Sequence, residues 1–186
     1  MKLIKFLFFI FIAFSSTIKA DLNNNLINDL TEGGKLVFIR HAYAPGGGDP
    51  NNFNINDCNT QRNLNNGGKH QAKQIGSFIR DNNIPIDKVI SSEWCRCKET
   101  AMIAFKKYET KFFLNSFYSP KFAQNKNQQI KDLKKYIKEW EGDKNLVLVT
   151  HYVVIKELLD YAPASGEIII SDRNMNLIEA IQLDTN

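Results

Sequence analysis

The chain has 186 residues, of which 43% are hydrophobic and 24% charged, which suits one globular α/β domain with its own core and is too short for two. Three of its basic side chains lie in the first twenty residues, which contain no acid; the remainder has 21 basic and 20 acidic side chains, a net charge of only +1. We therefore expect no nucleic acid and no membrane among the partners of the mature protein.

The first twenty residues have the pattern of a secretory signal peptide. Two lysines precede an unbroken apolar run, Phe6–Phe14, and a short polar tail ends at Ala20. The apolar run is shorter than the roughly 20 residues that cross a bilayer. We expect cleavage after Ala20, so that residues 21–186 form the mature domain in the periplasm or outside the cell. An uncleaved N-terminal anchor is the alternative.

Export would place the three cysteines in an oxidising compartment, where disulfides persist. The cysteines are Cys58, Cys95 and Cys97, and an odd number leaves at least one thiol unpaired. Cys95 and Cys97 are too close in sequence to pair easily. We therefore expect Cys58 to pair with Cys95 or Cys97, and three buried free thiols are the alternative.

Apolar periodicity and turn residues divide the rest of the chain into alternating helices and strands. A long polar loop over residues 42–66 follows the first strand, and loops of that length are usually functional. Ser92, just after the second strand, is the expected N-cap of the next helix. His70 lies off the apolar face of its helix and should be exposed to solvent. The other expected helices cover residues 21–32, 67–81, 122–140 and 152–161, and the expected strands cover residues 35–39, 88–90, 111–117, 145–150, 168–170 and 177–183.

Alternation of strands and helices predicts a three-layer α/β/α sandwich with a mostly parallel central sheet. Parallel strands end at the same edge of a sheet, and ligands bind there. The first strand runs into Arg40 and His41, the second is followed by a helix that carries Arg96, and the strand over residues 145–150 ends at His151. The sequence therefore predicts that these four side chains share one site.

Such a site suits a phosphoryl group, because two arginines and a helix N-terminus favour a dianion. A neutral His41 imidazole could attack phosphorus, form a phosphohistidine and release it to water. The cations are built in, so we expect no metal and no cofactor, and a small phosphorylated molecule as the substrate. Zinc is the rival ligand of the two histidines, but the sequence has no His-x-x-x-His or Cys-x-x-Cys spacing and the arginines would repel the ion.

Taken together, the motifs of this chain resemble the histidine phosphatase superfamily, also called the phosphoglycerate mutase-like superfamily. Four segments resemble family motifs and stand in the family's order: Phe38–Ala42, with alanine where the family's Arg-His-Gly has glycine; Arg62-Asn63-Leu64 with Gly68 and Gln71-Ala72; Ser92, Arg96, Thr100 and Ala101 in a Ser-x-x-x-Arg-x-x-x-Thr-Ala pattern; and Val147–His151 followed by Gly166-Glu167. Together they cover nearly all of residues 35–171.

The resemblance implies roles for individual residues. His41 would be the nucleophile, and Arg40, Arg96 and His151 would bind the phosphoryl group. From its position alone, Arg62 would be interpreted as a solvated side chain. The resemblance implies that it is a further phosphate contact. Ser92 and Thr100 would be structural residues at the start of their helix.

The chain departs from the family in its general acid. Many members have an aspartate directly after the second histidine, where this chain has Tyr152, or a glutamate in the middle of the chain, where no obvious carboxylate stands. Asp57, Glu93 and Glu167 are unranked candidates for the proton donor.

We expect an exported, metal-independent phosphatase of the family's short branch that acts on phosphomonoesters or phosphoramidates. A non-catalytic module that binds phosphoryl groups or sugar phosphates is the alternative, as is an envelope phosphatase acting on lipopolysaccharide sugars. The sequence leaves the substrate, the oligomeric state and the disulfide pairing open.

Overall fold

The structure is a computed structural model that describes residues 26–183, so the predicted signal peptide and the start of the first predicted helix lie outside the described residues. Strands β1 to β6 cover Leu36–Arg40, Ile86–Ser91, Glu109–Thr110, Asn145–Thr150, Ile168–Ser171 and Leu177–Ile181. Helix α1 includes residues 26–32, and α2 to α5 cover Asn66–Asp81, Cys95–Phe105, Lys126–Glu139 and Tyr152–Leu159. None of these helices is long and apolar enough to cross a bilayer.

The six strands form one mixed sheet in the order β3-β2-β4-β1-β5-β6. The first four strands in that order are parallel, and β5 and β6 run antiparallel to their neighbours. Strand β5 is reversed: after the eight-residue helix α5, the chain reaches the edge where β1 ends and runs back along β1 from there. There the Gly166 amide donates to the carbonyls of Arg40 and His41, which fixes the start of β5 beside the end of β1.

Two apolar layers pack on opposite faces of the sheet, because successive strand residues point to opposite sides. In β1, Val37 and Ile39 face the layer that contains α1, α2 and α3, whereas Leu36 and Phe38 face the layer of α4 and α5. Every residue of β4 is buried, as expected for a central parallel strand. The predicted three-layer α/β/α sandwich with a mostly parallel sheet is confirmed.

The prediction of a strand over residues 111–117 is wrong. The paired strand is only Glu109–Thr110, and Phe112–Leu114 form a 3₁₀ turn. The Leu114 side chain is fully buried, and the Gln129 side-chain amide donates to the carbonyls of Phe112 and Asn115. Burial of Leu114 together with these bonds from α4 bends the segment away from the sheet edge.

Two predicted helix starts are also wrong. Helix α3 begins after Trp94, which provides no side-chain cap; the Ser92 hydroxyl accepts from the Trp94 amide at 3.2 Å, in the turn that precedes the helix. Helix α4 begins at Lys126, because residues 123–125 form a tighter 3₁₀ turn that has no buried residue.

Gly76 allows α2 and α3 to pack closely. A Cβ at this position would lie 2.5 Å from the Ala104 carbonyl oxygen, in the backbone of the neighbouring helix. We predict that Gly76→Ala lowers the free energy of unfolding by about 1–3 kcal/mol, the usual cost of overpacking. Urea denaturation measures this value.

Gly67→Ala is the matched control, because it lies in the same helix and meets only the Asn65 side chain, at 3.4 Å. Alanine is the better helix former by up to about 1 kcal/mol, so this variant should keep or gain stability. Equal destabilisation by the two substitutions would contradict the close-packing explanation.

Candidate active site

The ends of two central strands and the first turn of α3 form the candidate site. His41 directly follows β1 and His151 directly follows β4, and the His41 amide donates to the Thr150 carbonyl at 2.9 Å. The two imidazole centroids are 5.4 Å apart. Arg96 reaches between them from α3, which starts shortly after β2 ends. The structure therefore brings together the residues that the strand-end argument selected.

The Arg96 guanidinium contacts both imidazoles and one carboxylate. Its Nε donates to His41 Nε2 at 3.2 Å, and its Nη2 lies 3.5 Å from His151 Nδ1. These two nitrogens share one edge of the planar group, so a single edge faces both rings. The third nitrogen, Nη1, donates to Asp49 Oδ1 at 2.8 Å. Asp49 thus fixes the orientation of an arginine that is only 4% exposed.

His41 has the protonation state that a nucleophile needs. Its Nδ1 lies 2.8 Å from the Ala42 carbonyl oxygen, which can only accept, so the ring proton is assigned to Nδ1. The lone pair is then on Nε2, which faces Arg96. Burial, followed by the positive charge of Arg96, holds the pKa of His41 well below its usual value of 6.5. The imidazole is therefore neutral at physiological pH.

His151 is oriented by a chain of buried polar groups. Because Nδ1 accepts from Arg96, its other nitrogen Nε2 carries the proton and donates to the Ser92 hydroxyl at 2.9 Å. Ser92 in turn donates to Asn115 Oδ1 at 2.9 Å. Burial, then Arg96, lowers the pKa of His151 well below 6.5. The Ser92 side chain, predicted only to start a helix, thus also orients a site histidine.

The free thiol of Cys97 lies behind His151, with Sγ 3.5 Å from the ring Nε2. Burial raises the pKa of this thiol to about 12. Cys97 is therefore a neutral packing group and not a nucleophile at physiological pH.

Arg40 and Arg62 stand on either side of this centre, and both line the same cleft. Arg40 Nη1 donates to the Pro163 carbonyl at 2.8 Å, and Arg62 Nη1 donates to the carbonyls of Ala44 and Gly46. The Nε–H of each arginine is buried and has no hydrogen-bond partner among the described residues. Each guanidinium therefore carries its charge beside the cleft, while its Nε–H lies inside the protein.

The cleft above the two histidines has a volume of about 780 Å³, far more than one phosphoryl group fills. Aromatic side chains form part of its lining, namely Phe53, Trp94, Tyr118, Phe122 and Tyr152. The cleft can therefore hold the alcohol or amine part of a sizeable phosphorylated molecule.

Asp49 was not among the residues predicted from the sequence; it lies in the long loop directly after three glycines and lines the cleft. The glycine run and the length of the loop were the available signals. The three carboxylates that the sequence did nominate are engaged elsewhere. Asp57 caps a 3₁₀ turn, Glu93 accepts from Asn115 and Glu167 accepts from Tyr161 and Ala164; none of the three lines the cleft.

A disulfide joins Cys58 to Cys95, one of the two pairings expected, with the Cα atoms 5.7 Å apart. It attaches the long loop to the residue immediately before Arg96. The same junction is held by the Gln61 side chain, which accepts from the Cys95 amide at 2.9 Å. Within residues 26–183, no group of three or more His, Cys, Asp or Glu side chains is arranged to hold a metal, and His70 is exposed on α2.

Part of the chain matches the sequence model of a known protein family. Residues 36–115 match the sequence model of the Histidine phosphatase superfamily (branch 1), a segment that includes Arg40, His41, Arg62 and Arg96 and ends before His151. No curated protein sequence matches the chain.

Solved structures are similar in fold. A phosphoglycerate mutase from Thermus thermophilus aligns with a TM-score of 0.58 over 81% of this chain and 99% of its own, at 14% identity. The protein histidine phosphatase SixA, complexed with tungstate, aligns with a TM-score of 0.56 over 79% of this chain and 96% of its own, also at 14% identity. Likeness at this level of identity concerns the fold alone.

The two buried imidazoles make stability depend on pH. In the unfolded chain a histidine has a pKa of about 6.5, whereas the folded values of His41 and His151 are lower. Below pH 6.5 the unfolded chain therefore binds protons that the folded chain does not, and folding becomes less favourable as pH falls. Each imidazole contributes a slope of at most about 1.4 kcal/mol per pH unit.

We predict that His41→Gln or His151→Gln flattens the decrease in unfolding free energy between pH 6.5 and 5.5, measured by urea denaturation. His70→Gln, on the exposed face of α2, is the control. An unchanged slope in both site variants would show that these imidazoles do not remain neutral in the folded protein.

Proposed function

We propose that this chain is a member of the histidine phosphatase superfamily and hydrolyses phosphorylated small molecules through a phosphohistidine on His41. The observation that carries the proposal is the neutral His41 imidazole, whose Nε2 accepts a hydrogen bond from the buried guanidinium of Arg96. The sequence match over residues 36–115 and the likeness in fold to a phosphatase and a mutase support it. Hydrolysis, as opposed to transfer to a second alcohol, is part of the proposal.

In this mechanism the arginines bind the phosphoryl oxygens. When the phosphoryl group binds, the Nε and Nη2 groups of Arg96 exchange their hydrogen bonds to His41 and His151 for bonds to two phosphoryl oxygens, in the bidentate geometry that suits a phosphate, and this exchange frees the His41 Nε2 lone pair. Arg40 and Arg62, whose side chains also line the cleft, add positive charge beside these oxygens. These cations lie where charge is redistributed during transfer, so they stabilise the transition state as well as the bound substrate.

The covalent step uses the lone pair of His41 Nε2. This nitrogen forms a bond to phosphorus, the bond from phosphorus to the leaving oxygen breaks, and that oxygen keeps the electron pair. Water then attacks the phosphohistidine and releases inorganic phosphate, which restores the imidazole. The Nδ1 proton, shared with the Ala42 carbonyl, stays in place and keeps the ring in the reactive tautomer throughout.

We also propose that the protein works outside the cytoplasm, in the periplasm or the medium. The Cys58–Cys95 disulfide supports this location, because such bonds persist in oxidising compartments. The signal-like pattern of the first twenty residues supports it independently.

His41→Ala should abolish turnover of p-nitrophenyl phosphate measured with EDTA present, because the covalent step has lost its nucleophile. Wild-type protein mixed rapidly with ³²P-labelled substrate should carry acid-labile label, and the variant should carry none. His70→Ala, on the exposed surface of α2, is the matched control and should keep full activity. Orthovanadate binding by a wild type that never turns over would instead favour the non-catalytic binding module.

Replacing Arg96 should weaken binding of the phosphoryl group. Arg96→Lys keeps the charge but loses the planar pair of N–H donors. Hydrogen bonds to charged groups contribute about 1.5–3 kcal/mol each. We expect the affinity for orthovanadate, measured as competitive inhibition or by calorimetry, to fall at least about tenfold.

Arg80→Lys makes the same chemical change on α2, where the guanidinium contacts Ser77 outside the cleft. This control should bind orthovanadate like the wild type. Equal binding by the Arg96 and Arg80 variants would remove Arg96 from the phosphoryl site.

A further inference from the structure

We propose that Asp49 is the catalytic proton donor of this site, an inference that rests on the proposed phosphatase function. The residue would protonate the leaving oxygen while His41 attacks phosphorus. Asp49 is not among the proton donors that the sequence nominated, although one of these, Asp57, lies in the same loop.

A proton donor is needed because the leaving group is basic. When the bond from phosphorus to oxygen breaks, an alkyl leaving group would depart as a strongly basic alkoxide. Proton transfer from a positioned side chain avoids that charge and accelerates such steps by about 10²–10⁴-fold. The imidazoles cannot supply the proton, because His41 reacts through its lone pair and His151 donates its proton to Ser92.

Asp49 is the one acidic residue that lines the cleft within the described part of the chain. Its Oδ1 accepts from Arg96 Nη1 at 2.8 Å and from the Arg62 amide at 3.0 Å. Its Oδ2 accepts from the Trp94 indole at 3.2 Å. The carboxyl group is therefore fixed beside the arginine that faces both imidazoles, and 18% of the side chain remains exposed.

Substrate binding supplies the conditions for protonation. A phosphoryl group held by Arg96 lies next to the Asp49 carboxyl group, because Asp49 Oδ1 contacts the same guanidinium, so a proton can pass between the two groups. The proton comes from solvent or from the monoanion of the ester, since phosphate monoesters have their second pKa near 6.

The two half-reactions balance. In the first, His41 Nε2 bonds to phosphorus, the leaving oxygen takes the electron pair and the Asp49 proton, and the alcohol departs. In the second, the Asp49 carboxylate takes a proton from the attacking water, whose oxygen bonds to phosphorus as the bond from nitrogen to phosphorus breaks. Inorganic phosphate leaves, and both residues return to their starting states.

Asp49→Asn provides the test, because its amide oxygen can still accept from Arg96 and Arg62 while the titratable proton is lost. Turnover would be measured for p-nitrophenyl phosphate, phenyl phosphate and β-glycerophosphate, whose leaving oxygens are increasingly basic. Because the variant also loses the charge that pairs with Arg96, we expect some loss of turnover with every substrate, and a further loss of about 10²-fold or more with β-glycerophosphate relative to p-nitrophenyl phosphate. Phenyl phosphate should fall between them.

Asp57→Asn is the matched control, since Asp57 lies in the same loop but caps a turn outside the cleft; its losses should not depend on the leaving group. Trapping of acid-labile ³²P on the D49N variant with p-nitrophenyl phosphate would show that covalent chemistry survives. Equal losses by D49N across all three substrates would overturn the proposal and leave Asp49 a positioning residue. Absence of labelled enzyme and of turnover in the wild type would overturn the proposed function itself, a different result.

Discussion

One buried guanidinium organises the site. Arg96 contacts His41, His151 and Asp49 with three different nitrogens, although it is almost fully enclosed. A buried cation is costly unless it is paired and hydrogen-bonded, and here Asp49 provides the pairing. The positions of the two imidazoles and of the loop carrying Asp49 thus all depend on one side chain of α3.

The same positive charge has two effects that suit the proposed chemistry. It attracts a phosphoryl dianion, and it adds to burial in lowering the pKa of His41 and His151, so that both rings remain neutral. A nucleophilic imidazole needs one ring nitrogen that carries a lone pair and no proton, and a protonated imidazole has no such nitrogen. The charge of Arg96 therefore serves both to bind the anion and to keep the His41 nucleophile neutral.

The sequence was sufficient to predict the sheet and the strand-end residues, because buried parallel strands such as Asn145–Thr150 are continuous apolar runs that stop at a polar residue. It could not predict Asp49, since one aspartate in a polar loop has no periodicity and gains its meaning only from Arg96, 47 positions away. The bend at Phe112–Leu114 was missed for a similar reason. Its aromatic and aliphatic residues favour a strand locally, and burial of Leu114 with bonds from Gln129 decides otherwise.

The Cys58–Cys95 disulfide divides the long loop into two parts. Between the end of β1 and Cys58, the chain is anchored at Asp49 by Arg96 and at its far end by the covalent link to Cys95. The stretch Pro50–Asn56 therefore spans two fixed points and contributes Phe53 to the cleft, where its ring stacks on Trp94, the ring next to His151. A substitution at Asn51, which lines the cleft in the same stretch, would change which molecules the cleft accepts, whereas one at Phe53 would also alter the packing around His151.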